Sequence, residues 1–495
     1  MAGTIELAML RALPDVGRDH AALLEDLEAL RVGDAPWRQG KVFSLVYDAG
    51  AAHEAFLQAA HAKYFCENGL NPMAFKSLQR MDTDVVRMVG RLLSGDAAVC
   101  GTMTSGGTES LLLAVKTARD RARRLRPWLR NPEMVLPASA HVALDKAADA
   151  FGVRIRRARL GADLRVDVGH VKRLINRRTV LLVGSAPQYP HGVIDPIAEI
   201  AALAQQHKLP MHVDACVGGM ILPFIERLGR EVPPWDFRVP GVTSISADLH
   251  KYGYAAKGAS VLLYRSVDYL QDQIFVATDW PGGVYASPTL PGTRPGGTIA
   301  AAWAGLQALG MSGYMDLAAQ TMAAADRLRA GIRGIAGLRL LSPAHSPIVT
   351  WASAAPEIDV YAVADQLEER GWHLDRQQDP PSVHLTVMAQ HAATVEAYLR
   401  DLAVAVAFVR AHPELKTQGN AATYGLMANL PVRSMVKQTV RGILVQMYGP
   451  DGGQAASASP QVDGALGALL QRHGPLIGRL LERYQRLRVW LRRRA

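Results

Sequence analysis

Two lysines stand six residues apart in the stretch SADLHKYGYAAKG, residues 246–258. Lys251 follows His250 at the end of an apolar run, VTSIS, and Lys257 follows a second tyrosine. A lysine at a strand end, beside apolar walls and other cations, can have its pKa lowered and act as a Schiff-base nucleophile. The plain alternative is a solvated ammonium. Upstream, TSGGTES (104–110) precedes the helical run LLLAVKTARDRA. Ser, Gly, Gly and Thr at a helix start leave backbone N–H groups facing outward, where the helix dipole adds partial positive charge. Gly106, Gly107 and Thr108 therefore read as an anion cradle, with the Thr108 hydroxyl as an extra donor, or as a simple capped helix with Thr108 as the cap. The loop is neither GxGxxG nor a Walker sequence, so the anion need not be a nucleotide. Between these stretches, HVDA (212–215) ends an apolar run with Asp214. A carboxylate there is costly to bury unless it meets a positive partner, such as a protonated heteroaromatic nitrogen; otherwise it belongs to a surface loop.

These groups need a scaffold. From about 80 to 300, helical patterns alternate with short runs such as TVLLVGSAP (179–187), LPMHVDA (209–215) and ASVLLYR (259–265). Such alternation predicts an α/β fold with a mostly parallel central sheet flanked by helices. Residues 1–75 read as an N-terminal helical segment and 76–310 as the large domain. Residues 311–448 read as a small C-terminal domain, with IVTWAS and SVHLTVM as strands. A linker follows at 449–461, then a basic amphipathic tail at 462–495. The passage DWPGGVYASPTLPGTRPGG (279–297) reads as one long loop, of the kind that is often functional.

An anion cradle, a carboxylate for a ring nitrogen and a Schiff-base lysine are together what pyridoxal 5'-phosphate requires. His141, which opens the helical pattern SAHVALDKAADAFG (139–152), is placed to stack on the ring. At this point the chain resembles the sphingosine-1-phosphate lyases, in the group II decarboxylase branch of fold-type I pyridoxal-phosphate enzymes. The resemblance runs from GKVFSLVYDAG (40–50) to about GLMANL (425–430). TSGGTESLLLA, HVDA and HK mark the wider decarboxylase group. HKYGYAAKG and YASPTLPGTRPGG are more particular to the lyases.

The resemblance implies a carbon–carbon lyase that cleaves the C2–C3 bond of a phosphorylated sphingoid base to a long-chain aldehyde and phosphoethanolamine. It implies that Gly106, Gly107, Thr108, His141, Asp214, His250, Lys251, Gly297 and Thr298 surround the cofactor. Lys251, Lys257, Tyr47 and Tyr189 match catalytic positions, the tyrosines and Lys257 serving proton transfer or the substrate phosphate. Asn68, Asn71, Lys257 and Tyr47 match the substrate side. One departure stands out: the lyases usually read NPLHP where this chain reads NGLNP (68–72), so Asn71 replaces a histidine. Asparagine donates hydrogen bonds but carries no proton across neutral pH. The resemblance also implies a homodimer with shared active sites, TRPGGT (293–298) reaching the neighbour's cofactor phosphate.

Two further readings stand beside it. An amino-acid decarboxylase of the same fold would need a cationic clamp for a carboxylate. A non-catalytic lipid- or partner-binding relative would keep the fold alone, and the retention of Lys251, Asp214 and His141 argues against it.

Composition narrows the setting. The chain has 495 residues, 49% hydrophobic and 20% charged, which is ordinary for a globular enzyme. Its cysteines, Cys66, Cys100 and Cys216, are dispersed and suggest neither a disulfide framework nor a metal site. The net charge of +10 gathers in RDRARRLRPWLR (119–130), RIRRAR (154–159) and RLRVWLRRR (486–494). Without any nucleic-acid-binding signature, these read as solvated faces rather than a nucleic-acid surface. No signal-like leader or membrane-length apolar run is visible, so the expected location is cytoplasmic. Membrane-peripheral contact through the tail, where Trp490 joins apolar and basic faces, and export by a non-classical route are the alternatives.

Overall fold

The computed structural model describes residues 13–429 and 433–450. The linker beyond residue 450 and the tail at 462–495 lie outside them. Residues Trp37–Ala411 form one compact unit. A separate unit carries the helices His20–Leu30, Gly419–Asn429 and Arg433–Tyr448.

The first unit is built on a seven-stranded sheet. Its strands are β1 (Cys100–Thr104), β2 (Glu133–Pro137), β3 (Arg154–Ala158), β4 (Thr179–Ser185), β5 (Met211–Asp214), β6 (Ser244–Asp248) and β7 (Ser260–Tyr264). The spatial order is β1-β7-β6-β5-β4-β2-β3. All neighbouring pairs among β2 to β6 are parallel, and only β7 runs against its two neighbours. The apolar runs of β4 and β7 are continuous because both faces of the sheet are covered. In β4, Leu182 packs with Ile197, Ile200 and Val213 on one face. Its neighbours Leu181 and Val183 pack with Leu111, Val115 and Met134 on the other. Each fully buried Leu or Val of this kind contributes about 1.5–3 kcal/mol.

Residues 279–287 depart from the expected loop of 279–297. They belong to a hairpin, β8 (Phe275–Trp280) and β9 (Gly283–Ser287), turned by Pro281 and Gly282. Only the remainder, to the helix Gly296–Gly334, is irregular; that helix kinks at Gly310, whose φ of 55° suits glycine. A smaller antiparallel sheet holds β10 (Leu338–Leu340), β11 (Ile348–Ser353), β12 (Asp375–Gln378) and β13 (Pro381–Thr386), in the order β10-β11-β13-β12. No described helix is long and apolar enough to cross a membrane.

Candidate active site

The parallel strands of the large sheet end on one side, and in such sheets ligands bind outside the carboxyl ends. β1 runs into Ser105–Thr108 and the helix Gly107–Leu125. β4 leads to Pro187 and Tyr189, β5 ends at Asp214, and β6 ends at Asp248 ahead of His250 and Lys251. Together with His141, which follows β2, these groups line one cavity of about 360 Å³.

The cradle is backbone rather than side chain. The cap of the helix Gly107–Leu125 is Gly106, with no side-chain cap bond. Thr108 lies in the first turn, exposed to the cavity, so it is not the cap. A Cβ on Gly107 would stand 2.7 Å from Asp248 Oδ2 and 2.9 Å from Cys216 Sγ, so only glycine fits there. Glu109, buried in the same turn, accepts from Ser105 N–H and Oγ–H at 2.7 Å each and from Leu290 N–H at 2.8 Å. It ties the cradle to the segment after the hairpin.

Asp214 is a buried strand-end carboxylate, 7% exposed, and not a surface residue. Its Oδ1 accepts from Cys216 N–H at 3.1 Å. His141 is exposed at the cavity; its Nδ1 accepts from Ala143 N–H at 3.2 Å, which leaves the proton on Nε2. Lys251 Nζ lies 2.9 Å from Asp248 Oδ2. This pairing corrects the expectation of a lowered Lys251 pKa. Burial, the largest single influence, pulls the amine down, but Asp248 together with the Cys216 and Tyr47 groups outweighs it, and the net shift is upward. Asp248 shows the reciprocal effect: burial opposes its ionisation, and Lys251 and His250 overcome it, so its pKa is lowered. Burial also lowers His250, whose Nδ1 is buried without a hydrogen-bond partner among the described residues.

Lys257 lies on the far side of the lysine loop. Its Nζ donates to Leu45 O at 2.8 Å and His250 O at 3.2 Å, and sits 5.3 Å from the Tyr47 ring centre. Tyr47 and Lys257 both line a second cavity of about 440 Å³. Burial, then the charge of Lys251, brings Lys257 down to about 8. Burial pushes the Tyr47 phenol up to about 12, against the pull of Lys251. Tyr189 lines the first cavity, and its hydroxyl donates to Asp375 Oδ2, outside that lining, at 2.5 Å.

Asn68, Asn71, Gly297 and Thr298 are not brought into the lysine cavity of their own chain. Asn68 holds the TRPGGT segment: its Oδ1 accepts from Arg294 N–H at 3.1 Å and its amide donates to Thr293 Oγ1 at 3.3 Å. Asn71 closes a local turn, accepting from Met73 and Ala74 N–H at 3.0 and 3.2 Å. Gly297 and Thr298 are buried at the start of the helix Gly296–Gly334. A larger cavity of about 690 Å³, lined by Gly69, Asp82 and Arg294, holds none of the candidate chemistry.

Asp248, Glu109 and Asp375 are absent from the sequence-based set. Asp248 had a signal, since it stands three residues before Lys251. Asp375 had none, because its place is made by pairing within the small sheet.

The cavity suits pyridoxal phosphate. The donor set joins backbone N–H groups at a helix start, a glycine at which a Cβ would collide, a buried carboxylate, an exposed imidazole and a lysine. Known proteins agree. Residues 8–352 match the pyridoxal-dependent decarboxylase conserved domain. The chain is 42% identical to a sphingosine-1-phosphate lyase of Oryza sativa subsp. japonica, covering 88% of this chain and 82% of that one. It is 40% identical to sphingosine-1-phosphate lyase 1 of Rattus norvegicus, covering 89% and 78%. The structure of a Burkholderia pseudomallei sphingosine-1-phosphate lyase superposes with a TM-score of 0.81 at 35% identity, covering 89% of this chain and 97% of that one. A Lactobacillus brevis glutamate decarboxylase, 20% identical with a TM-score of 0.70 over 82% and 97% of the two chains, shares the fold. The chain belongs to the sphingosine-1-phosphate lyase family, a branch of the pyridoxal-dependent decarboxylases.

Proposed function

We propose that this protein is a pyridoxal-phosphate-dependent lyase that cleaves the C2–C3 bond of sphingosine or sphinganine 1-phosphate, giving a long-chain aldehyde and phosphoethanolamine. The observation that carries the reading is the single cavity in which the Ser105–Thr108 cradle, Asp214 and Lys251 meet, in a chain 35–42% identical to lyases of that name. Bound pyridoxal phosphate supplies the electron sink that carbon–carbon cleavage requires.

The chain supplies binding, orientation and proton control. The cradle N–H groups would hold the cofactor's phosphate, His141 would pack against its ring, and Asp214 would keep its ring nitrogen protonated. Lys251 is the attachment amine, with Asp248 as its proton partner at 2.9 Å. Tyr189 faces the cavity and is suited to the proton of the substrate's C3 hydroxyl. Tyr47 and Lys257 flank the neighbouring cavity and are suited to the substrate phosphate, Lys257 as a compact point charge.

A homodimer with shared sites fits the placement of Asn68, Gly297 and Thr298, which lie away from the lysine cavity of their own chain. The exposed apolar side chains of the hairpin, Phe275, Val276, Trp280 and Val284, fit a covered face. The location in keeping with this substrate is the cytoplasm, in contact with a membrane surface from which the lipid is drawn.

The test is an assay of purified protein with pyridoxal phosphate and sphinganine 1-phosphate. Aldehyde and phosphoethanolamine should appear in equal amounts, and Lys251→Ala should form neither. Release of carbon dioxide from an amino acid, with no aldehyde from the lipid, would replace this reading with that of a decarboxylase.

A further inference from the structure

Behind Tyr189, on the side of the small sheet, stands a group of side chains that neither the motifs nor the cofactor site account for. Asp375 on β12 and His384 on β13 are direct cross-strand partners. Opposed residues in a ladder project to the same face, and both meet Tyr189. The Tyr189 hydroxyl donates to Asp375 Oδ2 at 2.5 Å, and its ring stacks on the His384 imidazole with centroids 4.3 Å apart. His384 is fully buried and tied at both nitrogens, to Pro190 O at 3.3 Å and Thr386 Oγ1 at 2.8 Å. The phenol is thus fixed in plane by a ring that cannot turn and in rotation by a carboxylate. Its O–H is committed to Asp375, which does not line the cavity, so toward the cavity the phenol oxygen can only accept.

We propose that Asp375 is the positioning residue for Tyr189: it orients the phenol oxygen toward the substrate's C3 hydroxyl and takes the phenol proton as that oxygen receives another. The inference rests on the lyase reading above. In the step, the C3 O–H bond breaks and its proton passes to Tyr189 Oη. The Tyr189 O–H bond breaks and its proton passes to Asp375 Oδ2. The pair left on the C3 oxygen forms the aldehyde C=O, and the C2–C3 pair stays with the C2 fragment.

The charges around Tyr189 suit this arrangement. Asp375 and His384 face it from the small sheet, His141 from the loop after β2, with ring centroids 6.4 Å away, and Tyr47 and Lys251 from the other side. Burial raises the Tyr189 pKa and Asp375 raises it further, while Lys251 opposes them. Burial lowers the His384 pKa, so a neutral imidazole lies under the phenol and does not compete for the Asp375 charge. Tyrosinate is therefore suppressed, and Tyr189 can act on the hydroxyl only by passing its own proton on.

The experiment compares Tyr189→Phe, Asp375→Asn and the double variant. Asp375→Asn should lower kcat by about tenfold to a hundredfold, a fraction of what general acid–base catalysis supplies, with KM little changed and an enlarged solvent deuterium isotope effect. Asp375→Glu should recover part of the loss. The double variant should be no slower than Tyr189→Phe alone, because partners in one relay are not additive. A second readout needs no turnover: in the cofactor-free protein, Asp375→Asn should let one tyrosine ionise at lower pH by ultraviolet difference absorbance, and Tyr189→Phe should remove that tyrosine. Full activity of Asp375→Asn beside an impaired Tyr189→Phe would overturn the inference alone, as would additive losses or an unmoved tyrosine titration. Full activity of Tyr189→Phe would overturn the inference together with the role given to that tyrosine. A wild type that forms no aldehyde would sink the lyase reading and the relay with it, while the titration still reports whether the pair exists.

Discussion

Lys251 and Lys257 carry the same side chain with opposite consequences, and a neighbouring carboxylate explains why. Asp248 lies 2.9 Å from Lys251 and holds its proton on. Lys257 donates to two backbone carbonyls and has no carboxylate in contact among the described residues, so burial, then the charge of Lys251, brings it down to about 8. An ordinary lysine titrates near 10.4, so at pH 8 Lys257 offers roughly a hundredfold more free amine than a surface lysine. Brief acylation at pH 8, mapped by mass spectrometry, should label it first. Lys251→Met removes a repelling charge, so the Lys257 pKa should rise and its labelling at the same pH should slow. Equal labelling of Lys257 and exposed lysines would contradict the assignment. Of the residues singled out in the sequence, Gly106, Gly107, Thr108, His141, Asp214, His250, Lys251 and Tyr189 do meet in one cavity. They were legible because each stands at or just beyond the end of a strand. The lowered pKa expected for Lys251 was not, because it depended on where the Asp248 carboxylate points.

The elements show what local patterns can and cannot carry. The apolar runs of β4, β5 and β7 were readable because a strand buried on both faces needs no alternation. The hairpin β8–β9 carries only half of a hairpin signal: β-formers flank its turn, but Pro281 cannot adopt the positive φ that the favoured two-residue turns need at that position. The glycines and prolines around it masked that signal. RIRRAR, read as a charged face, contains the edge strand β3, where Arg154, Arg156 and Arg157 blunt an exposed edge. RDRARRLRPWLR is likewise structural in large part, since Arg124 and Arg121 bind the buried Asp272 carboxylate and Arg119 binds Asp120. The junction of β1 with its helix is where element geometry and chemistry meet. Gly107→Ala should leave the helix intact, because alanine is the better helix former. The new methyl would press on Asp248 and Cys216, displacing the carboxylate that pairs with Lys251. Cofactor affinity should fall at least tenfold, about 1.4 kcal/mol, measured by titrating the visible absorbance of bound pyridoxal phosphate. An unchanged affinity would show that the cradle has room to move.

At the scale of the whole molecule, the sheet brings distant segments to one site, but some of the residues implied by the family resemblance stay apart from it. The order β1-β7-β6-β5-β4 sets the cradle, Lys251, Asp214 and Tyr189 side by side, although more than a hundred residues separate the first from the second in sequence. Asp375 and His384 reach Tyr189 from the small sheet, a pairing that no local pattern could announce. Asn68, Gly297 and Thr298 lie outside the lysine cavity, which a symmetric dimer would explain if each chain completed its partner's site. That arrangement has a quantitative consequence. Lys251→Ala disables a site from within, and Thr298→Val should weaken the same function from the neighbouring chain. Each alone should be poorly active. Co-expressed in equal amounts, half of the dimers would be mixed, and each mixed dimer would contain one site with both parts intact. The mixture should therefore recover about a quarter of wild-type activity, and the mixed species, isolated through two different affinity tags, about half. Recovery no greater than the mean of the two single variants would mean that each chain builds its site alone, and that the TRPGGT segment serves only the packing of its own helix.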